Sequence, residues 1–262
     1  LTPIEVVSET LERRLGLFSV IIISLSAMIG SGLFVLPSLA YDMVGGGVWL
    51  AYVFAALVVF PGALSQCELA SAMPTSGGSY VFVERTFGPL VGTVTGLALW
   101  ASFLLKAAFA LIGFSAYLMF VQEWVGTDIT DLEAALGMLA LISIVNVIGV
   151  KSVKLFQTPI VALSILMLVV LTVWAVADGH ADYSRAVPVL DTRDQWISMG
   201  EASAFVLVSY AGVAGVAAIG GEIKNPSRNL PEGIRTSLVI GAVLYAVLVA
   251  TMVAVIPEEA FY

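Results

Sequence analysis

The chain has 262 residues, of which 60% are hydrophobic and 11% charged, and its formal net charge is −8. Soluble domains carry roughly 25% charged residues and about 45–50% apolar ones, so a water-soluble enzyme or a basic nucleic-acid-binding module is excluded. Cys67 is the only cysteine and His180 the only histidine, which leaves no intrachain disulfide and no Cys/His metal cluster.

Residues 1–16 are polar and charged, and no small-residue cleavage site follows them. They read as a cytosolic lead-in rather than a cleaved leader. Seven apolar runs follow, at 17–41, 48–70, 88–121, 133–150, 155–177, 197–220 and 234–256. Each is about the length that crosses a bilayer as a helix, so the fold class expected is an all-α membrane protein. No run shows the alternation of a membrane β-barrel. Arg13, Arg14, Arg85, Lys151, Lys154, Lys224, Arg228 and Arg235 fall on one side of these spans, and Arg185 and Arg193 on the other. That bias places the N-terminus in the cytoplasm. The acidic outer loops read as solvated surface.

The first span holds SAMIGSGLFVLPS, Ser26–Ser38, where Gly30, Ser31, Gly32 and Pro37 weaken a helix in mid-membrane. After the second span comes a segment with Pro74, Gly77, Gly78 and Pro89, too aromatic for a solvated loop. It reads as an interfacial or re-entrant stretch on the cytoplasmic face. Glu68 and Glu84 flank it and could pair with Arg85 or Lys224 as an inner gate; ordinary helix-end charges are the alternative. The third span is long enough to tilt or project, and Gly88, Gly92 and Gly96 give it a close-packing face.

Lys106 lies near the middle of that third span. A mid-membrane lysine costs at least about 2.5–3.5 kcal/mol, so it should face the protein interior or a cavity. Two readings stand: its amine reaches carbonyls at a helix break and stands in for a coupling cation or carries the coupled proton, or it is a structural lysine. A turn at 149–154 makes the fourth and fifth spans antiparallel neighbours. The sixth span is rich in small residues at Ser209, Ala211, Gly212, Ala214 and Gly215, a second weak point.

A break in a membrane helix exposes backbone groups that cost several kcal/mol each in lipid unless something satisfies them. Free N–H groups and the helix dipole suit a carboxylate, and free carbonyls suit an ammonium. One break can therefore hold both ends of an amino acid. Two breaks at corresponding places, five spans apart and oppositely directed, point to a transporter's binding site. Glycines placed only for helix packing are the competing explanation.

Three stretches carry a resemblance to a known family. MIGSGLFVLP, Met28–Pro37, resembles the broken first helix of amino acid permeases of the amino acid–polyamine–organocation (APC) superfamily. ELASAMPTSGGSYVFVERTFGP, Glu68–Pro89, resembles that family's cytoplasmic segment, and GEIKNPSRNLPEGI, Gly221–Ile234, the end of its sixth helix. The resemblance implies a LeuT-like inverted-repeat fold. It implies secondary active transport of amino acids or related amines by alternating access, in the plasma membrane. It also implies that the amides of Gly30, Ser31 and Gly32 take the substrate carboxylate and the carbonyls of Ala27, Met28 and Ile29 the amino group. Tyr210, Ala211 and Gly212 would complete the site, with Val213 and Ala214 bordering the side-chain pocket.

Some members carry a coupling lysine on the fifth helix where this chain has Ser164, which leaves the coupling ion open between H+ and Na+. In this frame 17–177 is the first five-helix repeat, 178–196 an outer loop, and 197–262 the start of a second repeat. The fold is thus expected to be truncated to about seven transmembrane helices and unable to complete a transport cycle alone. No enzymatic activity and no cofactor are expected. The expected partners are the bilayer and an amino acid or amine. A non-transporting sensor or partner subunit on a permease scaffold is the rival function. A retinal-type receptor is disfavoured, since the seventh span holds no lysine.

Overall fold

The computed structural model describes residues 13, 15–73, 77–126, 129–148, 150–177, 179 and 181–256. Most of the 1–16 lead-in, Arg14, Pro74, Gly149 and His180 lie outside the described residues. Among those described, every element is a helix or helical turn.

The first apolar run is divided into three pieces. Helix α1 (Leu17–Met28) ends where Ile29 turns extended, at φ −69° and ψ 121°. A single turn, α2 (Ser31–Phe34), follows, and then α3 (Leu36–Val44). Pro37 sits in the first turn of α3, where no N–H is needed. Gly45, at φ +53°, opens a 3-10 turn that leads into α4 (Val48–Ala72). Helix α5 (Ser79–Phe87) is bracketed by Gly78 and Gly88, both at positive φ.

Helix α6 (Pro89–Val125) has 37 residues. At 1.5 Å per residue it is about 55 Å long, well beyond the roughly 30 Å hydrocarbon layer. Gly92 and Gly96 lie directly under α5: a Cβ on Gly92 would meet the Glu84 Cβ at 2.6 Å, and one on Gly96 the Tyr80 ring at 3.0 Å. The close-packing face of this span therefore receives a short interfacial helix. Helices α7 (Asp131–Ile148) and α8 (Val150–Ala177) pack on each other. Because α8 begins at Val150, Lys151 and Lys154 lie on the helix and not in the expected turn.

The sixth run begins earlier than expected. Thr192 and Gln195 form a reciprocal capping box that starts α9 (Arg193–Val206). That helix tightens into a 3-10 turn at Leu207–Tyr210 and resumes as α10 (Gly212–Ala217). Asn225, at φ +46°, then redirects the chain into α11 (Pro226–Val255).

Five stretches among the described residues are long and apolar enough to cross a membrane: Leu36–Ala72, Pro89–Ser115, Pro159–Ala177, Arg193–Ala217 and Pro226–Val255. Burial separates them. It reaches 53% in Arg193–Ala217 and 44% in Pro226–Val255, against 6% in both Pro89–Ser115 and Pro159–Ala177. The centre of the molecule is therefore built by α1, α4, α9, α10 and α11, with α6 and α8 outside them. Val20, Met28, Tyr52, Tyr210, Ile234 and Tyr245 are fully buried there.

Candidate functional site

The two weak points meet. Gly212, which restarts the sixth run, lies against the Ala27 carbonyl so closely that a Cβ there would overlap it and the Met28 nitrogen. On the other side of the first break, a Cβ on Gly32 would stand 2.7 Å from the Ser209 side chain. Glycine at both positions lets two backbones approach where any side chain would hold them apart. Beside Gly30, by contrast, a Cβ would meet nothing within 4 Å, so the first break opens onto free space there.

The carbonyls freed by the first break are met by side chains from three helices. Lys106 Nζ of α6 donates to the Ala27 carbonyl at 2.6 Å. The Tyr245 hydroxyl of α11 donates to the Met28 carbonyl at 2.7 Å. Tyr52 of α4 donates to the Gly32 carbonyl at 2.5 Å, and Ser209 to the same oxygen at 3.3 Å. Further along, Tyr117 of α6 donates to the Phe34 carbonyl at 2.5 Å. The Tyr245 ring packs at a tilt on Tyr52, with centroids 5.2 Å apart, and edge-to-face on Tyr210, with centroids 5.3 Å apart.

Of these tyrosines, Tyr210 was expected at the site from the sequence, and Tyr52, Tyr117 and Tyr245 were not singled out. The signal available was chemical: a phenol within an apolar span requires an acceptor. Which acceptor it finds is set by packing. A carbonyl oxygen has two lone pairs, so Ala27 and Met28 each retain capacity for a second donor.

At the opposite pole of the break, Ser31 and Gly32 begin α2, and their N–H groups precede the first intrahelical acceptors. Leu33 and Phe34 already donate to the Gly30 carbonyl, at 3.0 and 3.1 Å. The break thus separates a face of amides from a face of carbonyls. Tyr210 turns its hydroxyl to the Tyr52 carbonyl at 3.0 Å, and Val213 is buried. A cavity of about 270 Å³ opens between α4 and the second break, lined by Val59, Ala63, Gln66, Tyr210, Ala211 and Val213.

The other predicted residues lie elsewhere. Ser164 donates to the Ile160 carbonyl of its own helix at 2.8 Å. Glu68 and Arg85 are exposed and Glu84 is half-buried against α6. The ion pairs among the described residues are Arg185–Asp182 and Arg228–Glu232, so the gate candidates are not joined to one another in this conformation.

The segment after α4 and the entry to α1 both dock on the stretch around the end of α10. The Gly77 N–H donates to the Ala218 carbonyl at 3.0 Å, which docks the segment between α4 and α6 on the end of α10. Leu15 forms a parallel bridge with Ile223: Leu15 N donates to Glu222 O at 3.0 Å, and Lys224 N to Leu15 O at 2.8 Å.

Comparison with known proteins decides the family. The amino acid permease family model matches residues 15–261. The chain belongs to the amino acid permease family, within the APC superfamily. It is 30% identical to the branched-chain amino acid permease BcaP of Bacillus subtilis over 97% of this chain and 57% of that protein. It is 33% identical to mouse solute carrier family 7 member 12, over 94% of the chain and 55% of that protein. An Arabidopsis thaliana relative, the chloroplastic cationic amino acid transporter 7, is 26% identical over 96% of the chain and 46% of its own length. The permease chain spans about half the length of the curated relatives it matches. Membership agrees with its apolar helices and makes it a multi-pass membrane protein of a transporter family, with no sign of an enzyme's lineage.

Proposed function

We propose that the protein carrying this chain is a secondary active transporter that moves amino acids or related amines across the cell membrane by alternating access, with its N-terminus in the cytoplasm. The substrate is held between the two helix breaks, in a LeuT-like arrangement of inverted repeats. The observation that carries this reading is the approach of Gly212 to Ala27 and of Gly32 to Ser209. Two interrupted helices touching at their interruptions make a site of backbone groups, as a zwitterion requires.

In this reading the amides of Gly30, Ser31 and Gly32 take the substrate carboxylate. The second lone pairs of the Ala27, Met28 and Ile29 carbonyls take its amino group. Ala211 and Gly212 close the site from the other break, and Val213 and Ala214 border the side-chain space. Lys106, on the Ala27 carbonyl, supplies the positive charge that a coupling cation would otherwise bring, whereas Ser164 serves its own helix. Glu68, Glu84 and Arg85 join on the cytoplasmic face only when that face closes. Relatives described as branched-chain and cationic amino acid transporters support the substrate class.

The test is uptake by proteoliposomes containing the full-length protein. Saturable, concentrative uptake of amino acids is expected, together with its loss in Gly212→Val. Binding without uptake would favour the sensor reading, and absence of both would overturn the proposal.

A further inference from the structure

Lys106 is the cation of the first break, and its surroundings hold no negative charge. No Asp or Glu occurs in 17–41, 89–122 or 202–220, the stretches that build the two breaks and the body of α6. Its Nζ is fixed on the Ala27 carbonyl at 2.6 Å, the oxygen against which Gly212 also packs. One helical turn earlier on α6, the Phe103 ring stands 3.8 Å from where a Cβ of Gly215 would be, so the same face of α6 brings an ammonium and an aromatic ring to the two breaks. Val213, on the facing helix, is apolar and buried. A ligand between the breaks therefore meets a fixed positive charge, apolar side chains and no counter-ion.

We propose that Lys106 is a charge filter, a specificity-determining residue that disfavours amino acids with cationic side chains. This rests on the reading that amino acids bind between the breaks. A zwitterion with its carboxylate on the Ser31 and Gly32 amides has no net charge, and the repulsion of its ammonium by Lys106 is offset by the attraction of its carboxylate. A side-chain ammonium or guanidinium adds an uncompensated charge. Two like charges about 6 Å apart at an effective dielectric near 20 weaken binding by about 100-fold, and less where water screens them. The apolar lining adds to this, because it leaves a charged side chain unsolvated.

Norleucine and lysine form the discriminating pair, since they share a four-carbon side chain and lysine adds the terminal amine. Each is titrated against the full-length wild-type protein, Lys106→Met and Lys106→Arg by thermal shift and by competition with labelled leucine. Wild type and Lys106→Arg are expected to prefer norleucine by at least about tenfold, and Lys106→Met to lose most of that preference by gaining lysine. Equal binding of the two by wild type overturns the filter even if Lys106→Met does not fold. A preference that Lys106→Met keeps unchanged also overturns it, and leaves the site reading intact. Binding of neither amino acid to wild type overturns the site reading and the filter with it.

Discussion

Tyr245 and Met28 stand 217 positions apart and share one hydrogen bond, from the tyrosine hydroxyl to the methionine carbonyl, at 2.7 Å. Tyr52 does the same for Gly32, on the far side of the break, at 2.5 Å. The two phenols thus hold the opposite lips of the interruption in α1–α2, and their rings pack on each other at a tilt, with centroids 5.2 Å apart. Removing either hydroxyl leaves a buried carbonyl one donor short. Tyr245→Phe is expected to lower the stability of the full-length protein by about 1–3 kcal/mol. Substrate affinity should fall further than stability alone explains, because the second lone pair of Met28 loses its orientation. Ligand-dependent thermal shift compared with the unliganded midpoint separates the two effects. An unchanged midpoint and affinity would refute the bracing role.

Glycines in the sixth run are not equivalent. A Cβ at Gly212 overlaps the Ala27 backbone, whereas one at Gly215 makes only ordinary contact with Phe103 at 3.8 Å. Gly212→Ala should cost about 1–3 kcal/mol or more through overpacking and abolish uptake. Gly215→Ala should be tolerated in both respects. Similar behaviour of the two variants in an uptake assay would show that the close approach of the breaks has no functional weight.

Gly78 combines a left-handed backbone, at φ +54°, with a contact of 3.0 Å from its would-be Cβ to the Ala218 nitrogen. Gly78→Ala therefore carries both strain and a clash, and about 1–2 kcal/mol is the expected cost of the backbone conformation alone. Limited proteolysis of the cytoplasmic segment should accelerate in this variant. A cleavage rate equal to wild type would argue against docking of that segment on α10.

The start of α7 is a pH-dependent cap. Glu133 Oε2 accepts from the Thr130 backbone N–H and hydroxyl, both at 2.9 Å, and these bonds hold its carboxyl below the usual range. A folded-state pKa below the unfolded one gives stabilisation that is present above the ordinary carboxylate range. It is lost as pH falls through the folded value. Hydrogen exchange at the first turn of α7 should speed up on acidification in wild type, be independent of pH in Glu133→Gln, whose amide oxygen still accepts from Thr130 as Gln195 does from Thr192, and be fast throughout in Glu133→Ala. Wild-type protection that ignores pH would contradict the cap.

The breaks were legible because glycine and proline in an apolar run contradict the span's simplest purpose. Their counterparts in the cytoplasmic segment were legible for the same reason. Lys106 announced that it needed a partner, since a charge in an apolar helix cannot stand alone. Tyr52, Tyr117 and Tyr245 were not legible as a group. Each is ordinary in its own helix, and their common role depends on how α4, α6 and α11 are placed around α1. The early start of α9 could have been read from Thr192 and Gln195, whose spacing is that of a capping box, but the run was bounded by hydropathy alone. Pairing of Glu68 and Glu84 with Arg85 or Lys224 could not be read from the sequence, because it depends on side-chain direction: Glu84 and Arg85 are neighbours on α5 and point to different sides of it, Glu84 half-buried against α6 and Arg85 exposed.

The bridge between Leu15 and Ile223 has a mechanical consequence. Two backbone hydrogen bonds fasten the entry of α1 to the stretch that follows α10, so one arm of each interrupted helix shares a common anchor. If α1 swings about Ile29–Gly30, the other arm moves with it unless those two bonds break first. In the transport cycle proposed above, the door on this face is a double leaf on a common crossbar, and neither leaf opens by itself.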